Sequence, residues 1–145
     1  AAHEEPLYPG IREALHTLAA RPDVLLGVAT GKSRRGLKAV IEREKLQGLF
    51  VTLQTADTNL SKPHPAMLQA AMAEAGTGPH RTLMVGDTTY DMEMARDAGA
   101  RAIGVTWGYH PALDLMASGA HRLLDDSLRL TESLEDELAK LDNVE

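Results

Sequence analysis

Apolar residues along this chain follow two different spacings, and the two alternate. Val24–Thr30, Leu49–Thr55, Thr82–Val85 and Ala102–Thr106 are short, nearly continuous apolar runs, as expected of strands covered on both faces. Between them, apolar positions recur at helical spacing: Ile11, Ala14, Leu15, Leu18 and Ala19, then Leu37, Val40, Ile41 and Leu46, then Met67, Leu68, Ala71, Met72 and Ala75. Pro9-Gly10 opens the first helix and Pro22 ends it, Ser33 is placed to cap the second, and Pro65 and Gly76 bound the third. A fourth helix covers Met92 to Ala98 and stops at Gly99. Pro111 to Ser118 predicts a brief helix, His121 to Asp125 a small edge strand, and Ser127 to Leu141 an acidic closing helix. Strands alternating with helices predict βαβ units with right-handed crossovers. The expected fold class is α/β, a doubly wound parallel sheet, built as a single domain over residues 1–145.

Composition narrows the setting. Aromatic residues are only 3% of the chain, so the core must be built from aliphatic residues and methionine. A net charge of −6 argues against a nucleic-acid footprint, which needs a basic face. The absence of cysteine removes disulfides, thiolate metal sites and thiol nucleophiles. No apolar run is long enough to span a bilayer and no signal peptide opens the sequence, so a soluble, cytoplasmic protein without a membrane partner is expected.

Candidate chemistry gathers in three loops that follow strands, where ligands of open α/β sheets bind. Thr30-Gly31 offers a hydroxyl and backbone N–H groups at a helix start, suited to an anion; an ordinary strand-to-helix turn reads the same way. Ser61-Lys62-Pro63-His64-Pro65 holds a cation between prolines, although a single lysine is most often a solvated surface group. Gly86-Asp87-Thr88-Thr89-Tyr90-Asp91 places Asp87 where a strand ends and Asp91 in the first turn of the following helix. Two such carboxylates suit a hard cation such as Mg²⁺, together with phosphate oxygens and water; a helix N-cap and a first-turn acid would look alike. Hydroxyl, ammonium and carboxylates on successive crossovers form a site for a phosphoryl group and its metal. Trp107, Tyr109 and His110 lie beyond a strand end and either touch substrate or pack together. His64 could support Lys62 or face solvent. His3, His16, His80 and His121 are dispersed and lack metal-ligand spacing. Glu132, Glu135, Asp136 and Glu137 read as a solvated helix face.

These motifs resemble those of the haloacid dehalogenase-like (HAD) phosphatases, in the phosphoglycolate-phosphatase-like branch. Val28-Ala29-Thr30-Gly31 resembles the family's second motif, Lys62 its third, and Gly86-Asp87-Thr88-Thr89-Tyr90-Asp91 its fourth. Leu7-Tyr8-Pro9-Gly10, Ala98-Gly99-Ala100 and Gly104-Val105-Thr106-Trp107-Gly108 also resemble that branch, so the likeness runs from about Leu7 to Leu141. It implies that Thr30 and the Gly31 amide bind phosphoryl oxygens and that Lys62 neutralises charge. It also implies that Asp87 ligates Mg²⁺ while Asp91 completes or orients the metal's shell.

One departure matters. The family's first motif, Asp-x-Asp-x-Thr, is not found before Leu7, and no Asp-x-Asp occurs in the sequence. The resemblance assigns the nucleophile and the general acid/base to those two aspartates and puts their strand mid-sheet, between the strands ending at Thr30 and Asp87. The chain is therefore expected to be the later part of such a phosphatase, without its first strand and cap. It should be inactive alone, although the full-length protein would hydrolyse a small phosphate monoester. The alternative is a catalytically dead domain that binds a phosphorylated ligand or a protein partner. A missing central strand would leave a slot open to self-association or strand exchange, and filling of that slot is expected.

Overall fold

Within the described residues, 7–141 of the computed structural model, every strand runs parallel to its neighbour. The elements are α1 (Ile11–Ala19), β1 (Leu26–Ala29), α2 (Arg34–Arg43), β2 (Phe50–Gln54), α3 (Ala66–Ala75), β3 (Leu83–Gly86), α4 (Thr89–Ala98), β4 (Arg101–Val105), α5 (Ala112–Ala117), β5 (Arg122–Leu124) and α6 (Leu130–Leu141). The α/β alternation read from the sequence is the observed one.

Boundaries moved where local turns compete with apolar runs. Val24 and Leu25 are not in β1, because Val24 N–H closes a turn onto the Arg21 carbonyl and Leu25 points to solvent. Helix α2 ends at Arg43, yet Leu46 is buried: Lys45 takes a positive φ of 59° and returns Leu46 N–H to the Ile41 carbonyl. A 3-10 turn, Ser127–Arg129, precedes α6.

The strands form two sheets, β1 with β2 and β3–β4–β5 in that order. Leu26 pairs with Phe50 and Ala29 with Gln54; Leu83 to Gly86 pair with Arg101 to Gly104. Strands β1 and β3 are not partners, and no strand among the described residues lies between them. The expectation that the slot is filled is not met by these residues. Unpaired backbone groups are costly only when dry, and Gly27 in the middle of β1 is exposed.

The two sheets are joined through helices. Met67, Leu68 and Met72 of α3 share one core cluster with Met84, Met92, Met94 and Ala102, and Ala29 packs against it. A second cluster, with Leu18, Ile103, Val105 and Leu134 at its centre, takes Leu26 and Val85 at its border. The core is aliphatic and methionine-rich, as the composition requires.

The closing helix corrects one expectation. Glu137 is not on a solvated face; it is fully buried and bonded to Arg101, Arg122 and Lys140. Leu130, Ser133, Leu134 and Leu141 are the other buried positions of α6. Position 137 falls on the same stripe, so helical spacing carried the signal.

Candidate functional site

Strand β3 delivers Asp87, and the start of α4 is built around Asp91. Thr88 is the N-cap, its hydroxyl accepting from Asp91 N–H at 3.1 Å, while Asp91 Oδ2 accepts from Thr88 N–H at 3.2 Å. This reciprocal box satisfies two donors that a helix start leaves orphaned. Gly86 makes it possible: a Cβ there would collide with the Asp91 side chain. The helix-capping reading therefore holds for Asp91, while the N-cap is Thr88 rather than Asp87.

Asp91 also holds Lys62. Its Oδ1 lies 2.5 Å from Lys62 Nζ, and the lysine side chain is only 19% exposed. The solvated-lysine reading fails. The Lys62–Pro63 peptide is cis. His64 does not bond Lys62; its Nδ1 accepts from Ala66 N–H and caps α3.

Thr30 and Gly31 follow β1. Thr30 N–H continues the strand pairing to the Gln54 carbonyl, and its Oγ1 accepts from Lys32 N–H at 3.1 Å. That hydroxyl keeps its own proton to donate. The start of α2 itself is occupied, since Ser33 accepts from Gly36 N–H and Asp57 Oδ2 accepts from Arg34 N–H. Gly31 is exposed and a Cβ there would meet nothing. No hydrogen bond among the described residues links Thr30 or Gly31 to the Lys62–Asp91 pair.

Both oxygens of Asp91 are thus engaged, and Asp87 is the carboxylate left for a cation: among the described residues it has no hydrogen-bond or ion-pair partner. No group of three His, Cys, Asp or Glu side chains gathers among the described residues. That donor set fits Mg²⁺, which commonly takes one or two carboxylates and completes its shell with water and phosphate.

Two positions in the loop after β4 reach this site. Asp87 lies against Gly108, in the loop after β4. His110 Nδ1 accepts from Thr89 N–H at 3.1 Å, and its ring meets Tyr90 edge-on at 5.8 Å. Trp107 packs at the border of the core, 6.3 Å from Tyr8, whereas Tyr109 is 87% exposed. A surface cavity of about 440 Å³, lined in part by Leu7, Tyr8, Arg12 and Leu128, shares no residue with this site. No described helix is long and apolar enough to cross a membrane.

Several of the chain's relatives are named as phosphatases. A probable phosphatase, IndB, from Dickeya dadantii is 40% identical over 82% of this chain and 52% of its own length. A phosphoglycolate phosphatase from Synechococcus elongatus is 33% identical over 88% of this chain and 59% of its own. The crystal structure of a hydrolase from Pseudomonas syringae superimposes with a TM-score of 0.80 at 28% identity, covering 89% of this chain and 62% of that one. The chain spans little more than half the length of these two phosphatases. A model of the haloacid dehalogenase-like hydrolase family matches residues 1–105. With its parallel α/β core and its Asp87–Asp91 loop, the chain belongs to the haloacid dehalogenase-like hydrolases, in their phosphoglycolate-phosphatase-like branch.

Proposed function

We propose that this chain is the phosphate-handling part of a Mg²⁺-dependent phosphatase for a small phosphate monoester of the phosphoglycolate kind. In this reading the attacking aspartate, which forms the aspartyl-phosphate, comes from a segment outside this sequence. The observation that carries the reading is the Lys62–Asp91 pair at 2.5 Å, because it holds an ammonium group in a strand-end loop beside the turn that bears Asp87.

Phosphoryl transfer asks a protein for position and charge rather than for covalent chemistry of many kinds. Asp91 fixes one face of the Lys62 ammonium, leaving the other protons for a phosphoryl oxygen. The Thr30 hydroxyl, already accepting from Lys32 N–H, donates its proton to a second oxygen, and the Gly31 amide serves a third. Pre-oriented donors of this kind cost no reorganisation when charge develops. Asp87 would hold Mg²⁺, with Asp91 behind it orienting the shell; the metal, when bound, neutralises charge on the phosphoryl oxygens. Selectivity among esters would fall to the family's cap, which this reading places outside the sequence.

The test is phosphate release from phosphoglycolate and p-nitrophenyl phosphate with Mg²⁺, using mass-verified protein. The chain alone should release none. Joined to an upstream-encoded segment containing Asp-x-Asp-x-Thr, it should turn over, and Lys62→Ala or Asp87→Ala should abolish that. Turnover by the chain alone would overturn the division of labour. Ligand binding without hydrolysis, even with the upstream segment, would favour the catalytically dead domain.

A further inference from the structure

We infer that Gly108 is a positioning residue for the Asp87 carboxylate, an inference that rests on reading Asp87 as the metal ligand. Glycine at 108 is not demanded by the backbone. Gly10, Gly48, Gly76, Gly99 and Gly119 have positive φ, whereas Gly108 does not. Space is what demands it. A Cβ built on Gly108 would lie 2.5 Å from Asp87 Oδ2, 2.8 Å from its Cβ and 3.0 Å from its Cγ. Rotating χ1 of Asp87 would move the carboxylate but not its Cβ, so no rotamer change relieves the 2.8 Å approach.

The loop that presents Gly108 is pinned on both sides. Thr106 N–H bonds the Leu124 carbonyl at 2.9 Å, and Trp107 packs into the core border. Beyond Gly108, His110 holds the first turn of α4 through Thr89 N–H. The β4–α5 loop therefore cannot recede without breaking one of these ties. Asp87, at the open end of β3, is backed by an α-carbon that confines its carboxylate to one side. Among the described residues its carboxylate has no hydrogen-bond partner to orient it, so this steric backing is what limits the directions open to it. Mg²⁺ demands near-ideal geometry, and a displaced carboxylate would lose it.

The experiment titrates the chain with Mn²⁺, detected by electron paramagnetic resonance, and follows thermal unfolding without metal. Gly108→Ala should weaken Mn²⁺ binding at least about tenfold. Gly104→Ala crowds Leu123, Leu115 and Ala120 instead of Asp87; it serves as the control for local damage and should stay within about twofold. The metal-free arm is a rescue. Asp87→Gly removes the colliding side chain, so Gly108→Ala should lower the melting temperature much less in that background, even where the single variant folds poorly. Equal Mn²⁺ affinity for Gly108→Ala and wild type overturns the inference, as does a melting-temperature loss unchanged by Asp87→Gly. A wild-type chain that binds no Mn²⁺ overturns the metal reading of Asp87, and the inference with it, and is distinguishable from equal binding by both proteins.

Discussion

Lys62 and Asp91 are 29 positions apart in sequence, yet Lys62 Nζ lies 2.5 Å from Asp91 Oδ1. The same carboxylate, only 5% exposed, closes the capping box at the start of α4. One side chain thus ties the loop before α3 to the turn after β3, across the boundary between the two sheets.

Asp91→Ala should therefore cost more than the loss of a helix cap. A missing cap costs about 1 kcal/mol, and stranding one partner of a buried pair costs about 3 kcal/mol. Lys62 retains some exposure and recovers part of that by hydration, giving a net destabilisation of about 2–3 kcal/mol. Asp91→Asn keeps the amide oxygen as acceptor for Thr88 and should cost roughly half as much. Urea unfolding of the three proteins decides it, and equal stability of both variants would sever the link between cap and lysine.

Glu137 predicts an acid-sensitive fold. Burial pushes its carboxyl up, but hydrogen bonds from Lys140, Arg101 and Arg122 outweigh burial and hold it at about 2, against an ordinary value of 4.5. A carboxyl depressed on folding stabilises above its unfolded value and loses that contribution as pH falls through its folded value. The window is therefore pH 4.5 down to about 2, and the shift corresponds to on the order of 3 kcal/mol. Glu137→Gln should be destabilised at neutral pH, and the difference from wild type should narrow as pH drops through the window. Parallel stability curves would show that the triple ion pair contributes nothing to acid unfolding.

The residues that were legible in the sequence share a reason. Ser33, Gly76 and Gly99 act locally, so the element order and the loops bearing Thr30, Lys62, Asp87 and Asp91 could be placed from spacing alone. What the sequence hid depends on contact between distant segments. Asp87 against Gly108, and His110 on Thr89, join a strand end to a loop some 20 residues onward. Asp57 capping α2 crosses from the end of β2. Glu137 is different: its helical spacing was visible, and its charge alone argued for solvent. The three cations that make burial tolerable lie on β4, β5 and α6.

Metal affinity follows from the engagement of Asp91. With its two oxygens committed to Lys62 and Thr88, Asp87 faces a reluctantly dehydrated ion without a second free carboxylate. Calorimetry on the chain alone should find Mg²⁺ binding weaker than micromolar. Lys62→Met should strengthen it, because it frees Asp91 Oδ1 and removes a neighbouring positive charge. Tight binding by the wild-type chain, unaffected by Lys62→Met, would contradict this account.

The last prediction concerns the facing edges of β1 and β3. Among the described residues both strands pair on one side only, β1 with β2 and β3 with β4, whereas β4 pairs on both sides and its Ala102 and Ile103 are fully buried. Exposed strand edges are templates for another strand. In dilute solution, amides along the outer edges of Leu26–Ala29 and Leu83–Gly86 should exchange with solvent early, while those of Arg101–Val105 exchange last. As concentration rises, the same edges offer a place for a strand from a second copy, and light scattering should show mass increasing with concentration. Joining the chain to an upstream strand should slow exchange in β1 and β3 together and abolish the self-association, because one inserted strand would pair with both. Slow exchange in β1 and β3 at every concentration, in a strictly monomeric chain, would mean the two edges are already protected. The family's placing of a strand between Thr30 and Asp87 would then not apply to this chain.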